Sequence, residues 1–374
     1  MADHALLSAS ASHRWLNCPP SARLCEDYDD KGSNFAAEGS DAHSLCEYKL
    51  RKALGMEARD PTENLSWYDA EMEEAAESYT AFIMELVAEA RKTCADPVVL
   101  IEQRLDYSRY VPAGFGTGDC VLIADGTLHI TDFKFGRGRL VEAEDNPQMK
   151  LYALGALEIY DCLYNIETIN MTIFQPRRSN ISTCTLSRQE LLDWAEKVLI
   201  PTAELAFAGD GEYHCGEWCQ FCKAKADCRE RARMNMALAR YEFRQPPLLT
   251  DEEIEEILGQ LDNLTDWAND IRSYALQAAI NGKQWPGYKL VEGRATRKYT
   301  DENAVAAAVR EAGYDPYEEP KILGVTAMTT LLGRKQFNDI LGSLVTKSQG
   351  KPTLVPESDK RPEMKNSAQE DFQM

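Results

Sequence analysis

The sequence predicts an α/β protein in which helices flank a mixed central sheet. Three observations predict this class. Strand-like runs rich in branched and aromatic residues follow one another between residues 98 and 135, amphipathic helical patterns precede them, and a further helical pattern leads to another strand-like run. The order β-β-β-α-β implies a mixed sheet with helices covering it.

The composition is that of a globular intracellular protein. The chain has 374 residues, of which 44% are hydrophobic and 9% aromatic, so it can build a substantial core. It contains no long uncharged apolar run and no basic start followed by an apolar stretch, so we expect neither a membrane span nor a signal peptide. Eleven cysteines, an odd number bunched towards residue 228, fit a reducing compartment with a metal or cluster site.

The charge balance limits how the protein can meet nucleic acid. Its 41 basic and 61 acidic residues give a formal net charge of −20. An acidic chain repels the phosphate backbone over most of its surface. Any contact with DNA must therefore come from local basic patches.

Two amphipathic helices are predicted ahead of the strands. Residues 35–55 have helical apolar spacing, and a second helix is expected from an N-cap at Ser66 until Asp96 and Pro97 break the pattern. The run VVLIEQRL, residues 98–105, then reads as a strand. The helices are expected to cover the sheet.

Two further strands, DCVLIAD and TLHITDFKF, are joined at Asp125-Gly126, a pair typical of tight hairpins. Together with residues 98–105 they predict an antiparallel meander of three strands. NPQMKLYALGALEIYDCL, with Pro147 in its first turn, reads as a helix, and IETINMTIFQPRR reads as a strand. SRQELLDWAEKVLIPTAELAFAGD is expected to form one more helix before the cysteine cluster.

The remainder of the chain predicts an accessory, mainly helical region. We expect residues 1–232 to form the core and residues 233–349 the accessory region, with a helix near 250–281 and a short element around GYKLVEGRATRKY. Residues 350–374 have little apolar content and are predicted to be a disordered tail.

Two aspartates are placed to form a metal site. Asp119 begins the second strand thirteen residues before Asp132, and the hairpin between them brings both carboxylates to the same end of neighbouring strands. Magnesium prefers such oxygen ligands. Lys134 shares the strand face of Asp132 and can orient or deprotonate water or stabilise the charge of a pentavalent phosphate. An isolated Asp-x-Lys more often lines a solvated strand face, so the neighbouring motifs decide between these interpretations.

Those neighbours resemble the RecB-like branch of the PD-(D/E)XK nucleases, whose core is restriction-endonuclease-like. The matching motifs are GTGD ending at Asp119, ITDFK ending at Lys134, and QMKLY, which carries the family's Q-x-x-x-Y pattern at Gln148 and Tyr152. The last two residues are spaced i and i+4 on one helical face. The resemblance implies that they lie beside the metal and contact the DNA backbone or support the lysine.

A histidine motif extends the resemblance. GSDAH ends in His43 and is similar to the G-x-x-x-H motif that supplies a metal ligand in this branch. The resemblance implies that His43, Asp119, Asp132 and the carbonyl of Phe133 hold Mg²⁺ or Mn²⁺, and an imidazole ligand favours Mn²⁺. Glu102 ranks below them, because an ordinary surface strand residue explains it equally well.

The cysteine cluster HCGEWCQFCKAKADC has the spacing C-x3-C-x2-C-x5-C, which suits zinc or an iron–sulfur cluster. The same nuclease branch carries one early cysteine and a late C-x2-C-x5-C trio. The resemblance implies a 4Fe-4S cluster on Cys18, Cys219, Cys222 and Cys228, which would close a loop of about 200 residues. Zinc on the late trio together with Cys215 is the alternative. The other cysteines, at positions 25, 46, 94, 120, 162 and 184, are expected to be small buried residues.

Two arginine pairs are candidate phosphate contacts. Arg137 and Arg139 follow the Asp-x-Lys motif in a glycine-rich loop, and Arg177 and Arg178 follow the later strand. Guanidinium groups suit phosphate oxygens, although an arginine-bearing surface loop is an equally good interpretation before the fold is considered. The basic run GRATRKY is either an accessory clamp on the substrate or an interface to acidic helices.

The sequence therefore predicts a metal-dependent DNA nuclease. The resemblance implies an exonuclease of phage-type recombination or replication, acting beside a single-strand-binding or annealing protein, in the bacterial host cytoplasm if phage-encoded. Some members of this group form rings, so an oligomer is compatible with it. Two alternatives remain: a non-catalytic nucleic-acid-binding or interaction protein that keeps the fold as a scaffold, and a zinc-bearing structural or regulatory protein.

Overall fold

The structure is a computed structural model that describes residues 5–28, 34–237 and 249–289. The chain divides into two compact units, Met1–Ala278 and Ala279–Met374. The features below belong to the first unit, and of the second only residues 279–289, a turn-rich stretch, are described. Within the described ranges, no helix has both the length and the apolar character that a membrane span requires.

A five-stranded mixed sheet forms the centre of the first unit. Its strands are β1 (Val98–Asp106), β2 (Phe115–Ala124), β3 (Thr127–Phe133), β4 (Thr168–Gln175) and β5 (Asn180–Ser187). They lie side by side in chain order, and each neighbouring pair is antiparallel except β3 and β4, which are parallel. A parallel pair needs a long crossover, and a helix supplies it here. The predicted α/β class, with a mixed sheet flanked by helices, is confirmed, as is the three-strand meander.

The hairpin between β2 and β3 closes where the sequence predicts. Ala124 pairs with Thr127, and Gly126 has a positive φ of 70° in the turn between them. This conformation is one that glycine adopts without strain. The tight turn fixes the register of β3 against β2, and with it the relative positions of Asp119 and Asp132.

Strand β5 was not predicted, because the sequence interpretation passed directly from the β4 segment to a helix. Its residues alternate between half-buried and exposed, and its short polar side chains contact β4: Thr183 Oγ1 lies 3.0 Å from Thr172 Oγ1, and Thr185 donates to Asn170 at 2.7 Å. An edge strand with such side chains lacks the apolar run on which strand prediction depends.

Two long helices cover one face of the sheet, α3 (Asn34–Ala53) and α4 (Ala70–Ala90). Helix α3 confirms the prediction over 35–55. The predicted N-cap of α4 at Ser66 is wrong, since the Asp69 side chain accepts from the Met72 N–H at 2.8 Å, and the helix also ends before Asp96. Both residue types cap helices well, so composition alone does not distinguish Ser66 from Asp69.

The opposite face is covered by α5 (Pro147–Tyr164), α6 (Arg188–Trp194) and α7 (Ile200–Ala208), against which α1 (Ser12–Asn17) and α2 (Ser21–Leu24) pack. Pro147 occupies the first turn of α5 as predicted, and Asn146 caps it. The single helix predicted after β4 is instead divided into α6 and α7 by a π-helical turn at Ala195–Leu199, just ahead of Pro201. Proline lacks the N–H that a continuous helix would need there.

The last described helices are α8 (Arg229–Met236) and α9 (Asp251–Ile280), and α9 confirms the helix predicted near 250–281. Asp270 of α9 accepts from Arg231 Nη1 at 2.5 Å and lies 2.9 Å from Lys225 Nζ, so α9 is tied to the segment that carries the cysteines. From residue 290 onwards, most of the element around GYKLVEGRATRKY, the rest of the accessory region and the tail at 350–374 lie outside the described residues. The boundary at residue 232 stays a prediction.

Candidate metal centre and cysteine pocket

The candidate metal centre lies where the pairing of β1 with β2 is interrupted and that of β2 with β3 ends. Ile101 pairs with Cys120 and Gln103 with Gly118, whereas Glu102 between them has a φ of 50°. This left-handed conformation costs a non-glycine residue roughly 1–3 kcal/mol and persists where the surroundings impose it, often at functional sites. Glu102 faces Asp119 across this break in the ladder.

The Asp119 carboxylate is fixed by the neighbouring strand. Its Oδ2 accepts from the Phe133 N–H at 2.7 Å, in place of the backbone hydrogen bond that is lost where β2 and β3 diverge. Its Oδ1 lies 3.3 Å from His43 Nδ1. His43 reaches over from α3 with its ring edge-on to the Phe133 ring, 5.5 Å between centroids. One carboxylate thus joins a strand backbone to a helix side chain.

Three side chains meet in a geometry that suits a metal ion. His43, Glu102 and Asp119 each offer one ligand atom, and these atoms all lie within 4.8 Å of one another. The sequence ranked Glu102 lowest of the candidate ligands, because its importance depends on a backbone conformation that leaves no local signal. The Phe133 N–H binds Asp119 and the Phe133 ring is buried. The Phe133 carbonyl stays a predicted metal ligand.

A second group of predicted residues forms a hydrogen-bonded network next to this triad. Lys134 Nζ lies 2.9 Å from Asp132 Oδ2 and donates to Gln148 Oε1 at 3.3 Å. The Gln148 amide donates to Asp132 Oδ1 at 3.0 Å and to the Tyr152 hydroxyl at 3.1 Å. The four residues that carry the sequence resemblance on β3 and α5 are therefore in mutual contact.

The oxygen and nitrogen atoms of the site suit a divalent cation. The Asp132 side chain is 3% exposed, and although its Oδ2 is close to the ammonium of Lys134, it receives no well-directed hydrogen bond. Such a buried oxygen is costly unless a cation or donor satisfies it. Carboxylate oxygens with one imidazole nitrogen suit Mn²⁺ and permit Mg²⁺. The residues fit a divalent cation of this kind.

The buried charges of the site shift the pKa values of its members: burial raises the pKa of Asp119, but His43 and the Phe133 N–H outweigh it and lower that pKa. Burial lowers the pKa of His43, but the Asp119 and Asp132 carboxylates outweigh it and raise that pKa to about 9. Burial and the charge of Asp119 raise the pKa of Glu102 to about 7. Burial also raises the pKa of Asp132, against the opposing effect of Lys134. The cluster therefore holds extra protons near neutral pH in the absence of another cation.

Three of the four predicted DNA-binding arginines are paired with carboxylates. Arg137 donates to Glu71 at 2.5 Å, and Arg139 donates to Glu217 at 2.9 Å. Arg177 binds Glu38 at 2.7 Å and Glu71 at 3.1 Å. Arg178 is exposed. In the free protein these three guanidinium groups are thus held by internal anions.

The N-terminal cysteine and the late cysteines line one pocket. The thiols lining it are those of Cys18, Cys215, Cys219, Cys222 and Cys228. Arg14 and Arg231 line it as well, and Arg231 is 2% exposed with a buried Nε that has no hydrogen-bond partner. Sulfur ligands with buried cations around them suit a group of net negative charge.

The distances between the sulfurs bear on the size of that group. Cys219 Sγ lies 3.8 Å from Cys215 Sγ, but among the described residues no three cysteine sulfurs lie within 4.8 Å of one another. A tetrahedral zinc ion with bonds of about 2.3 Å would bring all four sulfurs to about 3.8 Å from each other. The sulfurs of the described cysteines do not form this compact arrangement.

Cys25 was assigned no chemistry from the sequence, yet its sulfur lies 3.7 Å from Cys222 Sγ. A hydrogen bond with Cys222 lowers the pKa of Cys25 to about 5, with Arg14 contributing and burial opposing. Of the other cysteines expected to be buried, those at 46, 94 and 120 are buried, while Cys184 is half-buried and the prediction is wrong for the exposed Cys162. The local sequence near Cys25 lacks the spacing that marks the late cluster.

Comparisons with known proteins identify a family without an assigned activity. A family profile described as "Protein of unknown function (DUF2800)" matches residues 4–362. A solved structure titled "Crystal structure of SSO0001" is similar at 14% identity and a TM-score of 0.24, over 50% of this chain and 95% of that one. A likeness of that size carries no functional argument.

Proposed function

This chain belongs to the DUF2800 family of proteins of unknown function, and we propose that it is a metal-dependent DNA nuclease. The observation that carries the proposal is the position of the triad His43, Glu102 and Asp119 directly beside the buried Asp132–Lys134 pair. Cation ligands next to a fixed ammonium are what phosphodiester hydrolysis requires. The motif resemblance to the RecB-like nucleases supports the same conclusion.

The ligands proposed for a divalent cation are His43, Glu102, Asp119 and Asp132. When bound, Mg²⁺ or Mn²⁺ would polarise the phosphate and lower the pKa of an attacking water. The protein holds Asp119 through the Phe133 N–H, so this carboxylate keeps its position before the cation arrives. Pre-positioning of this kind reduces the reorganisation that the reaction needs.

Lys134 acts as a cation in this proposal. Burial lowers its pKa, but the charges of Asp132 and Asp119 outweigh that effect and raise it. The side chain therefore remains an ammonium and serves better as a donor to a phosphate oxygen or to the attacking water than as a base. Gln148 holds both members of the Asp132–Lys134 pair, and burial raises the pKa of Tyr152, which keeps its hydroxyl neutral.

The cysteine pocket is proposed to hold a 4Fe-4S cluster on Cys18, Cys219, Cys222 and Cys228, with zinc as the alternative. The absence of a compact sulfur arrangement among the described cysteines and the approach of the N-terminal cysteine to the late ones support the cluster. The group would fasten α1 and α2 to the end of the core and so support the face that carries the metal centre. Its role here is structural.

The finer assignment follows the motif resemblance. In this proposal the protein is an exonuclease of phage-type recombination or replication, which works beside a single-strand-binding or annealing protein in a bacterial cytoplasm. The second candidate is a non-catalytic nucleic-acid-binding or interaction protein that keeps the fold as a scaffold. The intact Asp119, Asp132 and Lys134 favour the enzyme, since a scaffold has no need of them.

The test is cleavage of end-labelled linear, nicked and circular DNA in Mg²⁺ or Mn²⁺. We expect Lys134→Ala to reduce the rate roughly 10²- to 10³-fold. Lys197→Ala, which removes an exposed lysine paired with Asp193, is the matched control and should leave the rate unchanged. If neither metal supports cleavage that depends on Lys134, the protein is not this enzyme.

A further inference from the structure

Two guanidinium groups converge on one carboxylate near the metal centre. Oε2 of Glu71, in the first turn of α4, accepts from Arg137 Nη2 at 2.5 Å and from Arg177 Nη2 at 3.1 Å. A single anionic oxygen held between two arginines is also how a phosphate oxygen is commonly bound. The Glu71 side chain is 42% exposed, so it can leave this position for solvent.

Arg177 is fixed before any ligand arrives. Its side chain is only 8% exposed, its guanidinium lies 3.6 Å from the centroid of the Phe135 ring, and its Nη1 donates to Glu38 at 2.7 Å. Glu38 thus holds one end of the guanidinium while Nη2 faces Glu71. A cation fixed in this way loses little side-chain entropy when an anion binds it.

The arginine pair lies close to the metal centre. Phe135, against which Arg177 stacks, directly follows Lys134, and the Lys134 N–H donates to the Phe174 carbonyl at 2.9 Å, three residues before Arg177. On α3, Glu38 precedes His43 by five residues, a separation of about 7.5 Å along the helix axis. An anion between the arginines would therefore be a near neighbour of the one at the metal.

We propose that Arg137 and Arg177 form a subsite for a DNA phosphate next to the scissile one, and that Glu71 occupies it in the free protein as an internal competitor. This inference rests on the proposed nuclease function. DNA must displace the Glu71 carboxylate to engage both arginines. Arg139 differs, because among the described residues its partner Glu217 is shared with His13 and with no second arginine, and the Arg139 and Glu217 side chains are more than half exposed.

Displacement has a measurable consequence. Removing the competitor should free both arginines and tighten DNA binding, and the gain should depend on Arg137. One more phosphate contact also steepens the dependence of log K on log salt by about 0.7–0.9. A surface carboxylate that acts through general repulsion would instead weaken binding to the same extent whether Arg137 is present or not.

The experiment measures dissociation constants of fluorescent single-stranded and duplex oligonucleotides over a salt series. The full-length protein carries Lys134→Ala throughout to prevent cleavage. We expect Glu71→Gln to tighten binding about tenfold, as one freed charge-assisted contact would. Glu71→Asp, which keeps the charge but withdraws the carboxylate, should shift binding in the same direction. Glu74→Gln, the same charge change at an exposed position of α4, is the control and should change binding less than twofold.

The decisive comparison is whether the gain in DNA affinity from Glu71→Gln requires Arg137. In an Arg137→Gln background, Glu71→Gln should give little gain. Equal gains from Glu71→Gln and Glu74→Gln, or a gain that persists without Arg137, would show that Glu71 acts only as surface charge and would overturn the subsite while leaving the nuclease proposal in place. Absence of DNA binding in every variant, together with absence of cleavage by wild type, would overturn both.

Discussion

Replacing Asp119 with Asn or with Ala separates its two roles. The carboxylate is a proposed cation ligand, and it is also the acceptor for the Phe133 N–H at 2.7 Å. Asparagine keeps a carbonyl oxygen that can accept this hydrogen bond but lacks the negative charge that a hard divalent cation prefers. Alanine removes both. The two variants should therefore differ in stability, and neither should be stabilised by the metal ion.

The magnitudes follow from those contacts. A part-buried N–H that loses its acceptor costs about 1–3 kcal/mol, so in EDTA Asp119→Ala should be less stable than Asp119→Asn by that amount. In wild type, a cation at 100 times its dissociation constant stabilises the folded state by about 2.7 kcal/mol. For a unit of this size each kcal/mol raises the melting temperature by about 2–4 °C, so Mn²⁺ should raise it by about 5–10 °C.

The assay is thermal unfolding of wild type and both variants in EDTA and in Mn²⁺. Lys134→Ala is the control, since it leaves the proposed ligands in place and should keep most of the Mn²⁺ shift. An undiminished Mn²⁺ shift in Asp119→Asn would refute the assignment of this carboxylate as a ligand. Equal stability of the Asn and Ala variants in EDTA would refute the structural role of its hydrogen bond.

Three further predictions concern protons, the supporting amide and the cysteines. The pKa values of about 9 for His43 and about 7 for Glu102 mean that protons compete with the cation for these ligands. The affinity for Mn²⁺, measured by calorimetry, should therefore rise from pH 6 to pH 9, and binding should release protons. An affinity that does not depend on pH would contradict this. Gln148→Ala should lower kcat about 10- to 100-fold with little change in melting temperature, and full activity would show that the network is dispensable. Cys215→Ser should keep the brown colour and visible absorption of an iron–sulfur protein, whereas Cys18→Ser should lose them; a colourless wild type with bound zinc would reverse that assignment.

The sequence predicted best what depends on neighbouring residues. The turn at Asp125-Gly126 and the Pro147 start of α5 are short-range signals, and they fixed the hairpin and the helix that carry Asp132 and Gln148. Strand β5 escaped prediction because an edge strand of small polar side chains has no apolar run. The start of α4 was misplaced because Ser66 and Asp69 are both good cap residues and no local signal distinguished them.

The site itself depended more on tertiary geometry. The motif resemblance implied that His43 and Asp119 would meet, but the contribution of Glu102 follows from its φ of 50°, which no local pattern specifies. The pairing of Arg137 and Arg177 with Glu71 joins the segments that follow β3 and β4 to α4, and helical periodicity could not indicate it. Contacts between elements distant in the chain are set by the packing of the whole core.

The path of the chain has a consequence for how the protein is made. Strands β1 to β5 are neighbours in the order in which they leave the ribosome, so the sheet can assemble as it is synthesised. Some contacts of the first helices involve partners that are synthesised much later. Trp15 belongs to the core that includes α7, Arg23 donates to the Phe207 carbonyl at 2.7 Å, and the Cys25 sulfur contacts that of Cys222. The Arg23 and Cys25 contacts therefore form only after 184 and 197 further residues, respectively, have been synthesised, so these links between the N-terminal segment and the late part of the chain are made after the sheet is complete.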